Sequence, residues 1–561
     1  MNSPKHPGFI AGILVGILLA AALVAIYYPA WKLAGLPFVP FDVFDFMTRT
    51  LPGAVITFGI DSMVAVIRTL HIGPTAVVAK TAEQTMAVAG FLFTAIVASA
   101  ILFAILRALG GRYAYPLGVA AGAILGIPIL LISLYSGQTA SASPWVSSLW
   151  ILGSLLLWGF CLGFCYRRLS PAAVVIPPSP APTVPPPSEP QPSGEPEPPT
   201  AEPSAIRLDR RRFLIRLGAS TAVVTVAGAV VGTLTERMRQ RMLAGGSARW
   251  SSNHPLPNAN ASVQPAPGTR REFTPLESHY RIDINTNPPV INEKNWSLRF
   301  TGLLDKPVAL TLDDLRRYEP LHQFITLACI SNPVAGDLTS TTRWTGVSLR
   351  RLLGGLHLKP SASHLKIRSA DGFFEVVPLQ AIHADERIML TYAWDGVPLP
   401  AEHGFPLRIY IPDVYGMKQP KWIESIEVMD HWEPGYWVVR GWDKTARMKA
   451  TSVIDTVSMN MSVIDAEHRT LIPIGGIAHA GARGISKVEV RIDEGPWEMA
   501  QLRTPISGLT WVVWRYDWPF QSGSHTFTVR CYDGSGAPQI ETPSPVHPSG
   551  ASGLHTRTQM L

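Results

Sequence analysis

Thr326-Leu327-Ala328-Cys329-Ile330-Ser331-Asn332-Pro333 is the stretch on which the reading of this chain turns. Residues 324–329 are apolar and run into Ser-Asn-Pro, the pattern of a strand that ends in a loop. The thiol of Cys329 therefore sits at a strand end, facing a polar turn. In an oxidising compartment a lone thiol is a liability unless it is buried, paired or ligating. Cys531 lies on a later strand, and Cys161 and Cys165 lie four apart on an apolar helix, where small apolar packing suits them. Taken alone, Cys329 fits a buried structural cysteine as well as a ligand.

Around this stretch short strands and short helices follow one another irregularly. Trp296-Ser297-Leu298-Arg299-Phe300-Thr301-Gly302 alternates with period two, as a half-buried strand does. Thr311 followed by Asp314 marks a helix start before Leu315. Ser348 is placed to cap a short helix over residues 349–353. Residues 365–369, 373–377, 388–394 and 407–411 read as further strands. This is an α+β pattern, and it spans a domain at 250–440. From about Thr445 the chain becomes all-β. Val488, Val490 and Ile492 alternate with Lys487, Glu489, Arg491 and Asp493, and Phe527, Val529 and Cys531 with Thr526, Thr528 and Arg530. A β-sandwich of immunoglobulin-like type is expected over 445–547, without a disulfide across it.

The 561 residues are 47% hydrophobic and 16% charged, and the mean hydropathy is +0.17. The excess lies in the first third. Residues 9–28, 86–106, 115–135 and 144–166 are each about 20 uncharged residues, enough to cross a hydrocarbon core. Residues 51–67 are weaker, because Asp61 near their middle is costly unless it is functional, packed or interfacial. A multi-span membrane domain of four or five helices is thus expected over 1–168. His6 and His71, the histidines of this third, lie in no clear span, so haem between the helices is not expected.

A linker follows at 169–206; residues 171–203 hold 14 prolines and no Lys or Arg, the composition of a semi-rigid polyproline II spacer. Then Asp209-Arg210-Arg211-Arg212-Phe213-Leu214-Ile215 opens an apolar run. Residues 207–235 are similar to a twin-arginine export signal retained as an anchor, although Asp209 and Ile215 depart from that pattern. A plain helix with positive-inside flanks is the other reading. Arg107, Arg112, Arg167, Arg168 and the arginines from 207 to 216 can all be cytoplasmic together. Everything after Thr235 is then outside, with five or six spans. The net charge of +7 comes with no basic stripe, which excludes a nucleic-acid surface.

Four segments of the globular half carry a family resemblance. The Cys329 stretch resembles the molybdenum-ligating segment of the sulfite oxidase family. Arg343-Trp344-Thr345-Gly346-Val347 resembles its next segment. His403-Gly404-Phe405-Pro406-Leu407-Arg408 with Pro412 resembles the pterin-binding stretch, and Gly416-Met417-Lys418-Gln419-Pro420-Lys421-Trp422-Ile423 the one after it. The terminal sandwich, with Gly481-Ala482-Arg483-Gly484-Ile485 and Thr510-Trp511-Val512-Val513-Trp514, looks like the family's dimerisation domain. The resemblance runs from about Glu272 to His547.

It implies a molybdenum–molybdopterin cofactor with Cys329 as the protein's metal ligand, a soft thiolate suited to such a metal. Arg408 and Lys421 match positions that bind the cofactor's anionic tail, with Lys418 the substitute if Lys421 points away. His403 matches a pterin contact. Asp371 matches an acid that hydrogen-bonds the pterin, or simply forms an Asp-Gly turn. Asn285 and Asn287 stand where the family carries an Arg and a His. Those two substitutions, and the absence of a basic residue in the Cys329 loop, make a poorer site for a small dianion, so a substrate other than sulfite is expected. Tyr436 lies near the family's active-site tyrosine, or is a packed aromatic. The implied activity is two-electron, oxygen-atom-transfer chemistry on a small molecule outside the membrane, on the periplasmic or extracellular side. With no Cys-x-x-Cys-His motif and no cysteine set for an iron–sulfur cluster, neither haem nor a cluster is expected. Electrons would go to a separate cytochrome or quinone-linked partner. A homodimer through the C-terminal domain fits the resemblance. The competing reading is a binding or scaffold protein that keeps the fold without the catalysis.

Overall fold

The computed structural model describes residues 6–70, 73–136, 142–170, 204–244 and 249–561. The chain divides into two compact units. One comprises residues 1–46 and 85–241, and the other residues 47–84 and 242–561. The expected proline-rich spacer at 171–203 lies outside the described residues.

Among the described residues seven helices come first: α1 (Phe9–Ala34), α2 (Val39–Thr50), α3 (Gly53–Leu70), α4 (Thr75–Ala108), α5 (Ala114–Ser136), α6 (Pro144–Leu169) and α7 (Ser204–Ala244). Among the described residues, five are long and apolar enough to cross a membrane: α1, α4, residues 114–135, α6 and residues 211–234 within α7. The segment with Asp61 forms α3, which is not one of them and belongs with the globular half. The twin-arginine-like segment is part of the long helix α7; the side chains of Asp209 and Arg210 lie outside the described residues. In the first unit α5 and α6 touch through small residues. A Cβ on Gly118 would overlap the Gly159 carbonyl, and one on Gly163 the Ala114 carbonyl. Spacing small residues by four lets two helix backbones meet, as in membrane helix pairs. Cys165 is buried there and Cys161 half-buried, in keeping with their reading as packing residues.

The globular half opens with strands β1 (Leu298–Gly302), β2 (Val308–Leu310), β3 (Leu321–Ala328), β4 (Thr339–Ser348), β5 (His364–Ser369), β6 (Phe374–Pro378), β7 (Met389–Trp394), β8 (Val397–Pro398), β9 (Arg408–Tyr410) and β10 (Ile423–Met429). They form two sheets. One has the order β2-β1-β10-β5-β6, with β1 and β10 parallel. The other has the order β3-β4-β7-β8, with β9 also on β7. Leu298, Phe300, Leu365, Ile367, Ile426 and Val428 of the first sheet bury their side chains with Leu312, Leu315, Leu349 and Leu352 of two short helices.

The first of these helices, Leu312–Arg316, begins with the expected capping box: Thr311 Oγ1 accepts from the Asp314 N–H at 3.2 Å, and Asp314 Oδ2 accepts from the Thr311 N–H at 2.9 Å. The second, Leu349–Gly354, corrects an expectation. Ser348 sits at its N-cap but makes no capping bond. The Leu349 N–H donates instead to the Ile388 carbonyl at 2.9 Å, so the tertiary neighbour does the work of the side chain.

Beyond residue 450 the chain is all-β among the described residues, with β11 (Thr451–Val457), β12 (Val463–Ile464), β13 (Thr470–His479), β14 (Ile485–Ile492), β15 (Trp497–Met499), β16 (Gln501–Leu502), β17 (Val512–Pro519), β18 (Ser524–Asp533) and β19 (His555–Met560). These make two antiparallel sheets, β11-β13-β17-β16 and β15-β14-β18-β19. Inward-facing Val488, Val490, Phe527, Val529 and Cys531 meet Ile472, Ile474 and Trp514 in one core. The period-two alternation of β14 and β18 is the cause.

A buried ion pair fastens the segment before β1 to this region. Arg503 Nε donates to Glu272 Oε2 at 2.8 Å, and its other nitrogens donate to the carbonyls of Asn258, at 2.9 Å, and Val263, at 2.7 Å. Replacing Arg503 by Met strands a buried carboxylate and several carbonyls. We expect a loss of about 3–5 kcal/mol of stability, read as a lowered thermal midpoint. The double variant with Glu272→Leu should recover part of it.

Candidate functional site

Cys329 is the first residue after β3 and is held by three bonds. Its N–H donates to the Leu338 carbonyl at 2.9 Å, its carbonyl accepts from the Asn332 N–H at 3.1 Å, and Asn332 Oδ1 accepts from the Leu338 N–H at 2.9 Å. The turn that follows the strand is thus closed by the asparagine of the Ser-Asn-Pro loop. Cys329 Sγ lies 3.0 Å from Ser331 Oγ. The thiol is buried among Ala76, Leu338 and Tyr280. Burial pushes it above the ordinary thiol range, and the Ser331 hydroxyl, loop N–H groups and Lys421 pull the other way.

A cluster of buried cations lies within electrostatic reach of that thiol. Arg408 opens β9, and Lys421 precedes β10. The two segments are joined by the Ile409 N–H donating to the Pro420 carbonyl at 3.1 Å and the Ile423 N–H donating to the Leu407 carbonyl at 3.0 Å. Gly404 lies between their side chains at φ +116°. A Cβ there would stand 3.1 Å from the Cβ atoms of both Arg408 and Lys421, so this close approach needs glycine.

Arg408 is 3% exposed. Its guanidinium lies 4.7 Å from the Trp344 ring centre and 5.0 Å from that of Trp394, two residues directly opposite one another on β4 and β7. It donates to the His403 carbonyl at 3.0 Å, its Nε has no partner, and among the described residues no carboxylate pairs with it. Burial lowers it to about 10. A cation this deep without a counter-charge marks a place where an anion belongs.

Lys421 Nζ donates to the carbonyls of Ile282 and Glu402, both at 3.2 Å, and lies 3.3 Å from Asp283 Oδ2. Burial pulls it down to about 8, against the attraction of Asp283. Burial would push Asp283 up, but Arg281 at 2.7 Å, Lys80 at 3.2 Å and Lys421 hold it well below the usual carboxylate range. His403 and His279 face each other with ring centres 5.1 Å apart. Burial keeps both neutral, His279 falling to about 3. His279 Nε2 is buried without a partner.

At the edge of the cluster Asp371 Oδ1 accepts from the Phe373 N–H at 3.0 Å, so the Asp-Gly turn forms, with Gly372 at φ +80°. Burial raises the carboxyl to about 7. Arg49 donates to Asn285 Oδ1 at 2.6 Å and to the Asp371 carbonyl at 3.0 Å, which places Asn285 and Asp371 side by side. Asn287 Oδ1 accepts from Gln84 at 3.3 Å, and its Nδ2 is unpartnered.

Two further expected residues have contacts of their own. Lys418 is tied to Glu375 by a buried pair at 3.0 Å, so Lys421, not its substitute, faces the cations. Tyr436 packs on Phe373 with ring centres 5.4 Å apart and lies under the Arg440 guanidinium at 3.6 Å. His279, Tyr280, Arg281, Asp283 and Arg49 were not singled out from the sequence. The run of polar and aromatic side chains just before Asn285 is the one local signal that could have pointed to the first four.

Among the described residues no group of three or more His, Cys, Asp or Glu could hold a metal. A metal here would have to arrive with ligands of its own and accept one thiolate. The residues present fit such a group. A buried thiol ends one strand, an unpaired guanidinium waits for an anion, and His279 Nε2, Arg408 Nε and Asn287 Nδ2 are open polar atoms around it.

Comparison with known proteins agrees. Residues 285–437 match the oxidoreductase molybdopterin binding domain. Over 286 residues, 43% of this chain and 52% of the relative, it is 25% identical to the mitochondrial sulfite oxidase of Macaca fascicularis. It is 27% identical over 292 residues to nitrate reductase [NADH] 2 of Phaseolus vulgaris, covering 42% of this chain and 32% of that one. An uncharacterized oxidoreductase of Bacillus subtilis, YuiH, is 29% identical over 147 residues, 26% of this chain and 72% of its own. The chain thus spans about half the length of the sulfite oxidase it matches and a third of the nitrate reductase.

Proposed function

We propose, from the premise that this chain is a molybdopterin-dependent oxidoreductase of the sulfite oxidase family, that it carries out two-electron chemistry on a small substrate with Cys329 as the protein's ligand to molybdenum. The observation that carries the proposal is the pairing of a buried thiol with a buried guanidinium that has no counter-charge. When bound, the molybdenum–pterin group supplies oxygen-atom transfer and a two-electron store. The chain supplies placement. The Cys329 thiol, its proton held by burial, would give up that proton if it bound the metal, as coordinated thiols do. Arg408 would hold the cofactor's anionic tail as a fork of donors, and Lys421 would hold it as a point charge. His279 and His403, kept neutral, and Asn285, Asn287 and Asp371 offer hydrogen bonds to a heterocycle. Trp344 and Trp394 wall the anion site from water, which strengthens each of these interactions. Tyr436 is the proposed phenol on the substrate side.

The rest of the chain is proposed to anchor this unit to a membrane. The five apolar helices expose large side chains such as Ile124, Leu149 and Trp145, as lipid-facing residues would be. With five crossings, the segment between the first two spans lies on the same side as everything after the fifth. That parity suits residues 47–84 belonging to one unit with residues 242–561. With the arginine clusters inside, that side is periplasmic or extracellular. Residues 207–235 are proposed as a twin-arginine-type anchor, the C-terminal sheets as an immunoglobulin-like dimerisation domain, and a separate cytochrome or quinone-linked protein as the electron partner.

The test is the metal content of the full chain, made in a host that produces molybdopterin. About one molybdenum per chain and a Mo(V) resonance are expected. Folded protein from that host without molybdenum would sink the proposal.

A further inference from the structure

Residues 47–84 run from the end of α2 through α3 into the first turns of the apolar helix α4, yet they belong to the same compact unit as the molybdopterin-binding domain. They touch it at both ends of the candidate site. At the thiol end, the Thr75 N–H donates to Asp337 Oδ2 at 2.7 Å, and Ala76 is buried against Cys329, Leu338 and Tyr280. At the cation end, Lys80 Nζ is buried, bonded to Glu83 at 2.6 Å, to Asp283 at 3.2 Å and to the Asn285 carbonyl at 2.9 Å. Gln84 donates to the Thr286 carbonyl and to Asn287 Oδ1, both at 3.3 Å. Arg49 donates to Asn285 Oδ1 and to the Asp371 carbonyl. Farther along, Gly53 packs on the backbone of Arg440, where a Cβ would stand 3.2 Å away.

We propose that this segment is part of the cofactor site: Arg49, Lys80 and Gln84 hold residues 283–287 and 371 in place and keep an anionic pterin cofactor from leaving. The inference rests on the molybdopterin reading above and adds residues that the binding domain itself does not contain. Three physical points support it. The backbone and side chains of Asn285 and Asn287 are polar groups with many rotamers, and bonds from a second segment fix them before a ligand arrives; preorganisation of that kind slows release. Arg49 adds positive charge to a cluster that already holds Arg281, Arg408 and Lys421 against Asp283, which favours an anion further, while Lys80 comes with Glu83 and serves to hold Asp283 and the Asn285 carbonyl. The same strap covers the thiol through Ala76, so one element spans both ends of the bound group. Arg49, Lys80 and Gln84 are positioning residues here. They act through Asn285, Asn287, Asp283 and Asp371.

The experiment uses the full chain, loaded with cofactor, and follows molybdenum per protein during prolonged dialysis. Wild type is compared with Arg49→Gln, Arg49→Lys, and a double variant Arg49→Gln with Lys80→Met. The proposal expects release at least about tenfold faster in Arg49→Gln, since each charge-assisted bond is worth that much, faster still in the double variant, and partly restored by Arg49→Lys. The thermal midpoints of the cofactor-free Arg49 variants should differ little from wild type, whereas the double variant breaks the buried Lys80–Asp283 pair and should unfold at a lower temperature. Release at the wild-type rate in the double variant overturns the proposal and leaves the molybdopterin reading standing. So does faster release in Arg49→Gln matched by an equal loss of that variant's cofactor-free stability, which would mark the segment as scaffolding only. A wild type that never contains molybdenum overturns both.

Discussion

Cys329→Ser is expected to fold, to lose more than ~100-fold in turnover, and to change or abolish the Mo(V) resonance. The magnitude is a lower bound, because partners in the outer shell of a metal site already cost 10–100-fold when removed. Serine keeps the size and the polar edge of the side chain, and the backbone bonds to Leu338 and Asn332 do not involve the sulfur. The fold should therefore cost no more than about 1 kcal/mol. A hydroxyl, however, is a hard ligand that stays protonated at neutral pH, whereas a thiol is soft and ionises on metal binding. Molybdenum content, the resonance and the thermal midpoint measured on the same sample separate loss of the ligand from loss of the fold. An unchanged resonance would remove Cys329 from the metal.

Arg408→Met is expected to move stability and cofactor retention in opposite directions. In the cofactor-free protein, Arg408 is a buried cation whose partners are a carbonyl and two indole faces. Burial already weakens its hold on the proton, to about 10. Replacing a buried ion pair by apolar side chains is often neutral or stabilising by about 1–4 kcal/mol, and a buried cation without a counter-charge has less attraction to lose. Part of that gain is offset by the His403 carbonyl left without its donor, so about 1–2 kcal/mol is the expected net increase. Retention should fall by roughly 10–100-fold, the worth of one or two charge-assisted bonds to an anion. Arg408→Lys should lie between, since an ammonium keeps the charge without the fork. Thermal unfolding of the cofactor-free protein, set beside molybdenum content after purification, reads both signs. A variant less stable than wild type and equally well loaded would show that Arg408 is a structural cation.

The local chemistry of the site could be read from the chain because each signal lay within a few residues. The apolar run ending at Cys329, the Thr311–Asp314 box and the alternation of β14 and β18 all express periods or spacings that a short window contains. His403, Arg408 and Lys421 were legible as an ordered set of motifs, and the hairpin-like joining of their segments around Gly404 brings two of them together. Ser348 failed as a cap because a carbonyl from the neighbouring strand reached the helix first, a fact of tertiary structure. Asp61 blurred the reading of residues 51–67, which could be a sixth span or an interfacial helix. Arg49 and Lys80 carried no signal at all. Their partners lie 203 to 322 positions away, and nothing in a basic residue near an apolar segment says which surface will cover it. Asn285, read from the sequence as standing in place of a cation, is met by Arg49 and Lys80 from a part of the chain that reads as membrane protein, and Asn287 by the neutral Gln84.

The same discontinuity sets the order of events during synthesis. The strap is finished when the ribosome reaches residue 84, but its counterparts at 283–287, 337, 371 and 440 have yet to be made. At ~5–20 residues per second, the wait for Arg440 is roughly 20–70 s. Until residue 283 is made Lys80 has Glu83 beside it but not Asp283, and until residue 329 is made Ala76 has no thiol to cover. The first piece of this unit to leave the ribosome thus cannot take its place until most of the unit has been made.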